Sequence, residues 1–181
     1  MNKNTEQILQ KLNGKKVGVF VDDSNLYHAY KKYSWRIDFG KLRQILERYC
    51  SLEFINYHVA IPSKEDAAST ATDKFLAKIK PHVTFKTKPL KYIPVNNGFT
   101  KKADVDVEIT LDVVRNITSL DLVIVMSGDS DLRELKNYVV KDKNKHIVFF
   151  AFEKSMAWEL RYCWHMYVDD FKSELGIELK L

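Results

Sequence analysis

Three stretches of this chain are apolar at nearly every position rather than at alternate ones: residues 16–21, 122–126 and 146–152. A strand with one solvated face alternates apolar and polar side chains, so a continuous run needs cover on both faces. Parallel sheets sandwiched between helices supply that cover. The segments between these runs carry helical spacing. Residues 5–12 form a short amphipathic helix, Ser24 or Asn25 is placed to cap a helix reaching about residue 33, and Asp38 precedes Leu42, Ile45, Leu46 and Tyr49. A strand over 54–61 stops at Pro62, a helix over 65–79 ends before Pro81, and a strand follows over 82–88. Asn96-Asn97-Gly98 punctuates a basic loop or hairpin, and Asp104 is placed to cap a helix to about residue 117 with Val105, Ile109 and Val113 on one side. A helix over 132–141 and a last helix beginning at Ser155, with Trp158, Leu160 and Trp164, complete the reading. Strands alternating with helices predict an open, largely parallel α/β sheet. No repeat or linker divides the chain, so one domain is expected over 1–181, with its core at about 15–170 and residues 1–14 as an N-terminal helix or extension.

Composition agrees with a globular protein: 181 residues, 45% apolar and 12% aromatic. No apolar run has the length of a membrane span, and the polar N-terminus has no signal-peptide core, so a cytoplasmic protein without a membrane partner is expected. Cys50 and Cys163 form no metal spacing and read as ordinary thiols. The net charge of +5 favours polyanionic partners. Between residues 74 and 103 there are eight lysines and no acid, interleaved with Phe85, Tyr92 and Phe99. That is either a solvated basic face or a nucleic-acid surface.

Ligands of an open α/β sheet bind beyond the carboxyl ends of its strands. Two acidic groups sit there: Asp22 and Asp23 after the first run, and Asp129 and Asp131 after the second, in Ser127-Gly128-Asp129-Ser130-Asp131. Asp104, Asp106, Glu108 and Asp112 lie on the helix feeding that second run. Two carboxylates about 5 Å apart repel by roughly 3 kcal/mol at an effective dielectric of 20, so several in one crevice call for protonation or a cation. Oxygen donors without His or Cys suit Mg²⁺ or Mn²⁺, which makes phosphodiester hydrolysis the natural chemistry. Singly, each acid also has an ordinary use: Asp131 with Glu134 fits a capping box, Asp104 is a plausible cap, and Asn25 caps. Other chemistries lack their residues. A phospho-receiver needs an aspartate where Pro62-Ser63-Lys64 stands, and an aspartyl-phosphate phosphatase needs Asp where Ser24 stands. Nucleotide loops, zinc-spaced histidines and a nucleophile elbow are absent.

Three ordered motifs, VGVFVDDSNLYHAY, KKADVDVEITLDVV and VIVMSGDSDLREL, resemble the NYN domain in its LabA-like branch, part of a PIN-like nuclease superfamily. The resemblance spans roughly residues 17–152. It implies a PIN-like (Rossmann-like) three-layer α/β/α sandwich with a mainly parallel sheet, and a divalent-metal ribonuclease site. By motif position it implies Asp22, Asp106, Asp129 and Asp131 as catalytic residues holding Mg²⁺ or Mn²⁺, with Asn25 beside them. Ser127, Asp23, Asp104 and Asp112 are supporting candidates. Lys86, Lys88, Lys91, Lys101 and Lys102 are expected on the RNA backbone, with Tyr92 and Phe99 for base stacking. Lys102 lies near the basic residue preceding the helix motif. The chain departs from the pattern at Asp23, where glycine is usual, at Leu132, where an aromatic is usual, and at His165, where many relatives have aspartate. The expected partner is single-stranded or structured RNA, with a homodimer as an open assembly. A non-catalytic RNA-binding or scaffold module is the alternative, and a DNA nuclease stays open because nothing here reads a ribose 2′-hydroxyl.

Overall fold

Strand residues of alternating parity feed two separate apolar cores, one on each face of a parallel sheet. The computed structural model describes residues 2–96 and 98–179. Helix α1 (Lys3–Leu12) leads into β1 (Lys16–Asp22), α2 (Asp23–Tyr33), the short β2 (Trp35–Ile37), α3 (Phe39–Glu47) and β3 (Ser51–Ile61). Then come α4 (Ser69–Ile79), β4 (Thr84–Pro89) and a hairpin of β5 (Lys91–Val95) and β6 (Gly98–Lys102). Helix α5 (Asp106–Asn116), β7 (Leu122–Met126), α6 (Arg133–Asn137), β8 (His146–Ala151), β9 (His165–Tyr167), α7 (Lys172–Leu175) and β10 (Gly176–Glu178) follow. The central sheet has six strands, all parallel, in the order β4-β3-β1-β7-β8-β9.

Val17, Val19 and Val21 of β1, with Leu122, Ile124 and Met126 of β7, pack under α1, α2 and α3. Phe20, Val123 and Val125 face the other way, against Val105, Ile109 and Val113 of α5 and Leu135 of α6. Each such side chain contributes roughly 1.5–3 kcal/mol when fully buried. That two-sided burial is why the runs lack polar alternation. The result is the expected PIN-like α/β/α sandwich. After β1 the chain builds outward through β3 and β4, then returns to place β7 on the other side of β1. The crevice between the ends of β1 and β7 is therefore the switch point of the sheet, where open α/β folds bind ligands.

Several local expectations need correction. The chain from Glu153 onward forms 3₁₀ turns (Glu153–Ser155, Trp158–Tyr162) and then β9, not the helix expected from Ser155. Of its apolar residues only Leu160 is fully buried in the second turn, while Trp158 and Tyr162 are exposed. Without a continuous apolar face a helix has nothing to pack. Trp164 stacks on His146 instead. The helix expected from residue 65 begins at Ser69, because Asp66 turns back to bind the Ala68 amide. Helix 132–141 is broken into a 3₁₀ turn, α6 and a π turn over Tyr138–Asp142. The hairpin at 96–98 is present, with Val95 opposite Gly98; Asn97 lies outside the described residues.

Candidate metal centre

Asp22 ends β1 and is only 2% exposed. It, rather than Ser24 or Asn25, caps α2: Oδ1 accepts from the Asn25 amide (3.1 Å) and from the Ser24 hydroxyl (2.8 Å). Its Oδ2 accepts from the Ser127 hydroxyl at 2.9 Å. Ser127 Oγ in turn accepts from the Asp129 amide at 3.2 Å, and Asn25 Oδ1 accepts from the Gly128 amide at 3.1 Å. The first motif thus grips the loop after β7 at consecutive residues. Gly128 is required there because a Cβ would overlap the Ser155 carbonyl, and its own carbonyl accepts from the Ala157 amide at 2.9 Å.

The same loop turns Asp129 and Asp131 toward the start of α5. One carboxylate oxygen each from Asp106, Asp129 and Asp131 lies within 4.8 Å of the others. Asp131 does not form a capping box; Asp129 caps the 3₁₀ turn by accepting from the Asp131 amide at 3.0 Å. Asp104 does not cap α5 either. The cap position is Val105, without a side-chain bond, and Asp104 pairs with Lys102 at 2.9 Å. Partial burial, a bond to Asp104, and the charges of Asp22, Asp104 and Asp129 push the Asp106 carboxyl up to about 7. Its neighbour Asp104, bonded to Asp106 and Lys102, is held down at about 2. The cluster is charge-strained without a cation.

Two candidates stand away from this cluster. Asp112 faces β3: Asn56 donates to it at 2.7 Å, His58 Nε2 lies 3.1 Å away, and Lys86 Nζ 3.9 Å. Burial opposes its ionisation, but these partners keep its carboxyl below the ordinary range. Asp23 accepts from the Tyr57 hydroxyl, and enclosure pushes its carboxyl up to about 6 despite that bond. Four of the five candidate lysines are engaged with acids. Lys88 pairs with Glu108 at 2.7 Å and Lys101 with Asp66 at 2.8 Å, alongside the Lys86 and Lys102 pairs. Asp66 also accepts from Tyr92, which ties the β5–β6 hairpin to the loop after β3. Phe99 is 67% exposed on that hairpin, and Lys91 is exposed as well. Sequence reasoning passed over Ser24, His28 and Asp66; Ser24 and His28 border the acidic cleft together with Lys101. No sequence signal marks them, since their roles depend on contacts across the fold.

The NYN domain profile matches residues 16–170. The chain belongs to the NYN domain family. NYN domains fall in the PIN-like nuclease superfamily, and this one is LabA-like. Low amplitude and bright protein LabA of Synechococcus elongatus is 24% identical over 159 residues, spanning 85% of this chain and 83% of that protein. A crystal structure of a protein of unknown function from Vibrio parahaemolyticus superposes with a TM-score of 0.69 at 21% identity, covering 91% of this chain and 98% of that one. That likeness establishes the fold of this NYN domain. Among the described residues, no helix is long and apolar enough to cross a membrane.

Proposed function

We propose that this NYN domain is a metal-dependent ribonuclease. The observation that carries the reading is the convergence of Asp106, Asp129 and Asp131, from two separate elements, at the β1–β7 switch point. Oxygen-only donors in a charge-strained group fit a hard cation such as Mg²⁺ or Mn²⁺. These three residues would hold it. Asp22, buried where these three are not, adds its charge nearby and supports the loop through Ser127. A bound divalent ion lowers the pKa of a coordinated water and stabilises charge on a phosphoryl oxygen. Asn25 keeps Gly128, and with it Asp129, in place. Ser24 and His28 line the same cleft, where they would contact a phosphodiester held at the acids. The exposed Lys91 and Phe99, with the lysines of the hairpin, offer a backbone-binding surface.

The test is cleavage of labelled single-stranded RNA and the matching DNA, with Mg²⁺ or Mn²⁺ and with EDTA. Metal-dependent RNA cleavage is expected, reduced at least about a hundredfold in Asp129→Asn while the variant stays folded. Equal residual degradation by wild type and variant would reject the reading. RNA binding without cleavage would make the domain a non-catalytic RNA-binding module.

A further inference from the structure

Beside the acidic cleft lies a second cavity of about 430 Å³ that the metal centre does not use. Its walls are largely apolar and aromatic, from Tyr27 and Tyr30 of α2, Val59 of β3, and Phe75 and Leu76 of α4. Such a volume, with apolar walls and the charged side chains of Asp23, Lys31, Arg36, Asp66 and Lys101 also lining it, suits a small polar molecule with a flat apolar body. Four residues, Ser24, His28, Lys101 and Ala103, line both the cavity and the acidic cleft, so the two spaces adjoin. Asp23, the chain neighbour of Ser24 and Asp22, lines the cavity next to this junction. Tyr57 donates to Asp23 Oδ1, which orients the carboxyl, and among the described residues no group donates to Oδ2.

We propose that this cavity receives the base of a nucleotide whose phosphate lies at the acidic cluster, and that Asp23 selects guanine. The proposal rests on the ribonuclease reading for the position of the phosphate. Flat aromatic and aliphatic walls suit a base lifted out of a stack. A carboxylate offers acceptors only. Guanine presents two adjacent donors on its Watson–Crick edge, N1–H and the N2 amine, and forms a paired contact with it. Adenine and cytosine place a ring-nitrogen acceptor beside their single amine, opposing the carboxylate. Uracil flanks its one donor with two carbonyls.

The experiment is an NMR titration of the full chain, in Mg²⁺, with the four ribonucleoside 5′-monophosphates. The phosphate is common to all four, so differences report the base. GMP is expected to bind about tenfold tighter than the other three. Asp23→Asn should erase that preference. Ala71→Phe, which fills the cavity from an exposed wall position on α4, should weaken all four. Asp129→Asn should leave the ratio of GMP to AMP affinity unchanged. Equal affinity for the four nucleotides, or undiminished binding by Ala71→Phe, overturns the inference whatever the cleavage assay shows. A GMP preference that depends on Asp23, in a protein that cleaves no RNA with Mg²⁺ or Mn²⁺, upholds the base site and removes the ribonuclease reading.

Discussion

Adjacent aspartates at the end of β1 have opposite surroundings. Asp22 is buried under hydrogen bonds from Ser24, Ser127 and the Asn25 amide; Asp23 points the other way, to Tyr57. Asp23 yields a pH prediction. Its folded carboxyl titrates at about 6, above the ordinary 3.8, so the folded state holds the proton more tightly than the unfolded chain. The stabilisation is complete below about pH 4 and is lost as pH rises through 6. Asp23→Asn keeps an acceptor for Tyr57 and has no charge to desolvate. Wild type should therefore lose about 1–2 kcal/mol relative to the variant between pH 4 and 7, measured by chemical denaturation at each pH. Equal pH dependence would show that Asp23 is solvated. Asn25 acts through the Gly128 amide, a contact that positions a neighbour of the proposed metal ligands. Asn25→Ala should reduce metal-dependent cleavage by about 10–100-fold, through weaker metal affinity more than lower stability. Isothermal titration with Mn²⁺ separates the two.

The loop joining β7 to α6 carries two of the clustered acids, and a close backbone approach at Gly128 helps to shape it. Gly128 lies against the Ser155–Met156 backbone, so the first 3₁₀ turn after β8 forms one wall of the loop. Gly128→Ala forces these backbones apart, at a cost of about 1–3 kcal/mol. The melting temperature should fall, and Mn²⁺ affinity should fall with it because Asp129 and Asp131 move together. A variant that melts lower yet binds Mn²⁺ as wild type would show that the loop tolerates the shift. The β5–β6 hairpin is a different kind of element. Its outer surface is exposed, and Lys101 and Tyr92 both reach back to Asp66. Those bonds hold Asp66 down at about 2, so the tether persists through the neutral range. Lys101 and Lys102 of the hairpin meet acids within the protein, while Lys91, Ile93, Val95 and Phe99 are exposed on it.

For the molecule as a whole, the clustered acids cost stability that the proposed ion would restore. Asp106 is pushed up by burial and by three other aspartates, a repulsion that a divalent ion would relieve. Mn²⁺ should accordingly raise the melting temperature, with a stabilisation of about 2.7 kcal/mol at a hundredfold excess over Kd. Asp106→Asn should melt higher than wild type in EDTA and lose the Mn²⁺ increment. Scanning calorimetry of both proteins, with and without Mn²⁺, checks this. An unchanged increment in the variant would place the ion elsewhere.

Most elements were readable because their signals are local. Uninterrupted apolar runs demand a covered sheet, and the spacing of Ile109 and Val113 marks the buried side of α5 wherever that helix goes. The acids themselves, and the loop that carries Asp129 and Asp131, were equally plain as residue types. Which acids meet was not. Asp112 and Asp106 share one helix, yet Asp112 turns to His58 while Asp106 joins the cluster, because six residues along a helix advance about 9 Å and leave the two side chains about 120° apart around the axis. Asp22 and Asp23 are neighbours, yet the first supports the loop of clustered acids and the second borders the cavity. The strand His165–Tyr167 was hidden for the same reason: three residues carry no periodicity, and only pairing with β8 makes them a strand. Patterns within a window reveal what each segment buries. Convergence of separate segments depends on strand order and long-range hydrogen bonds, which no window contains.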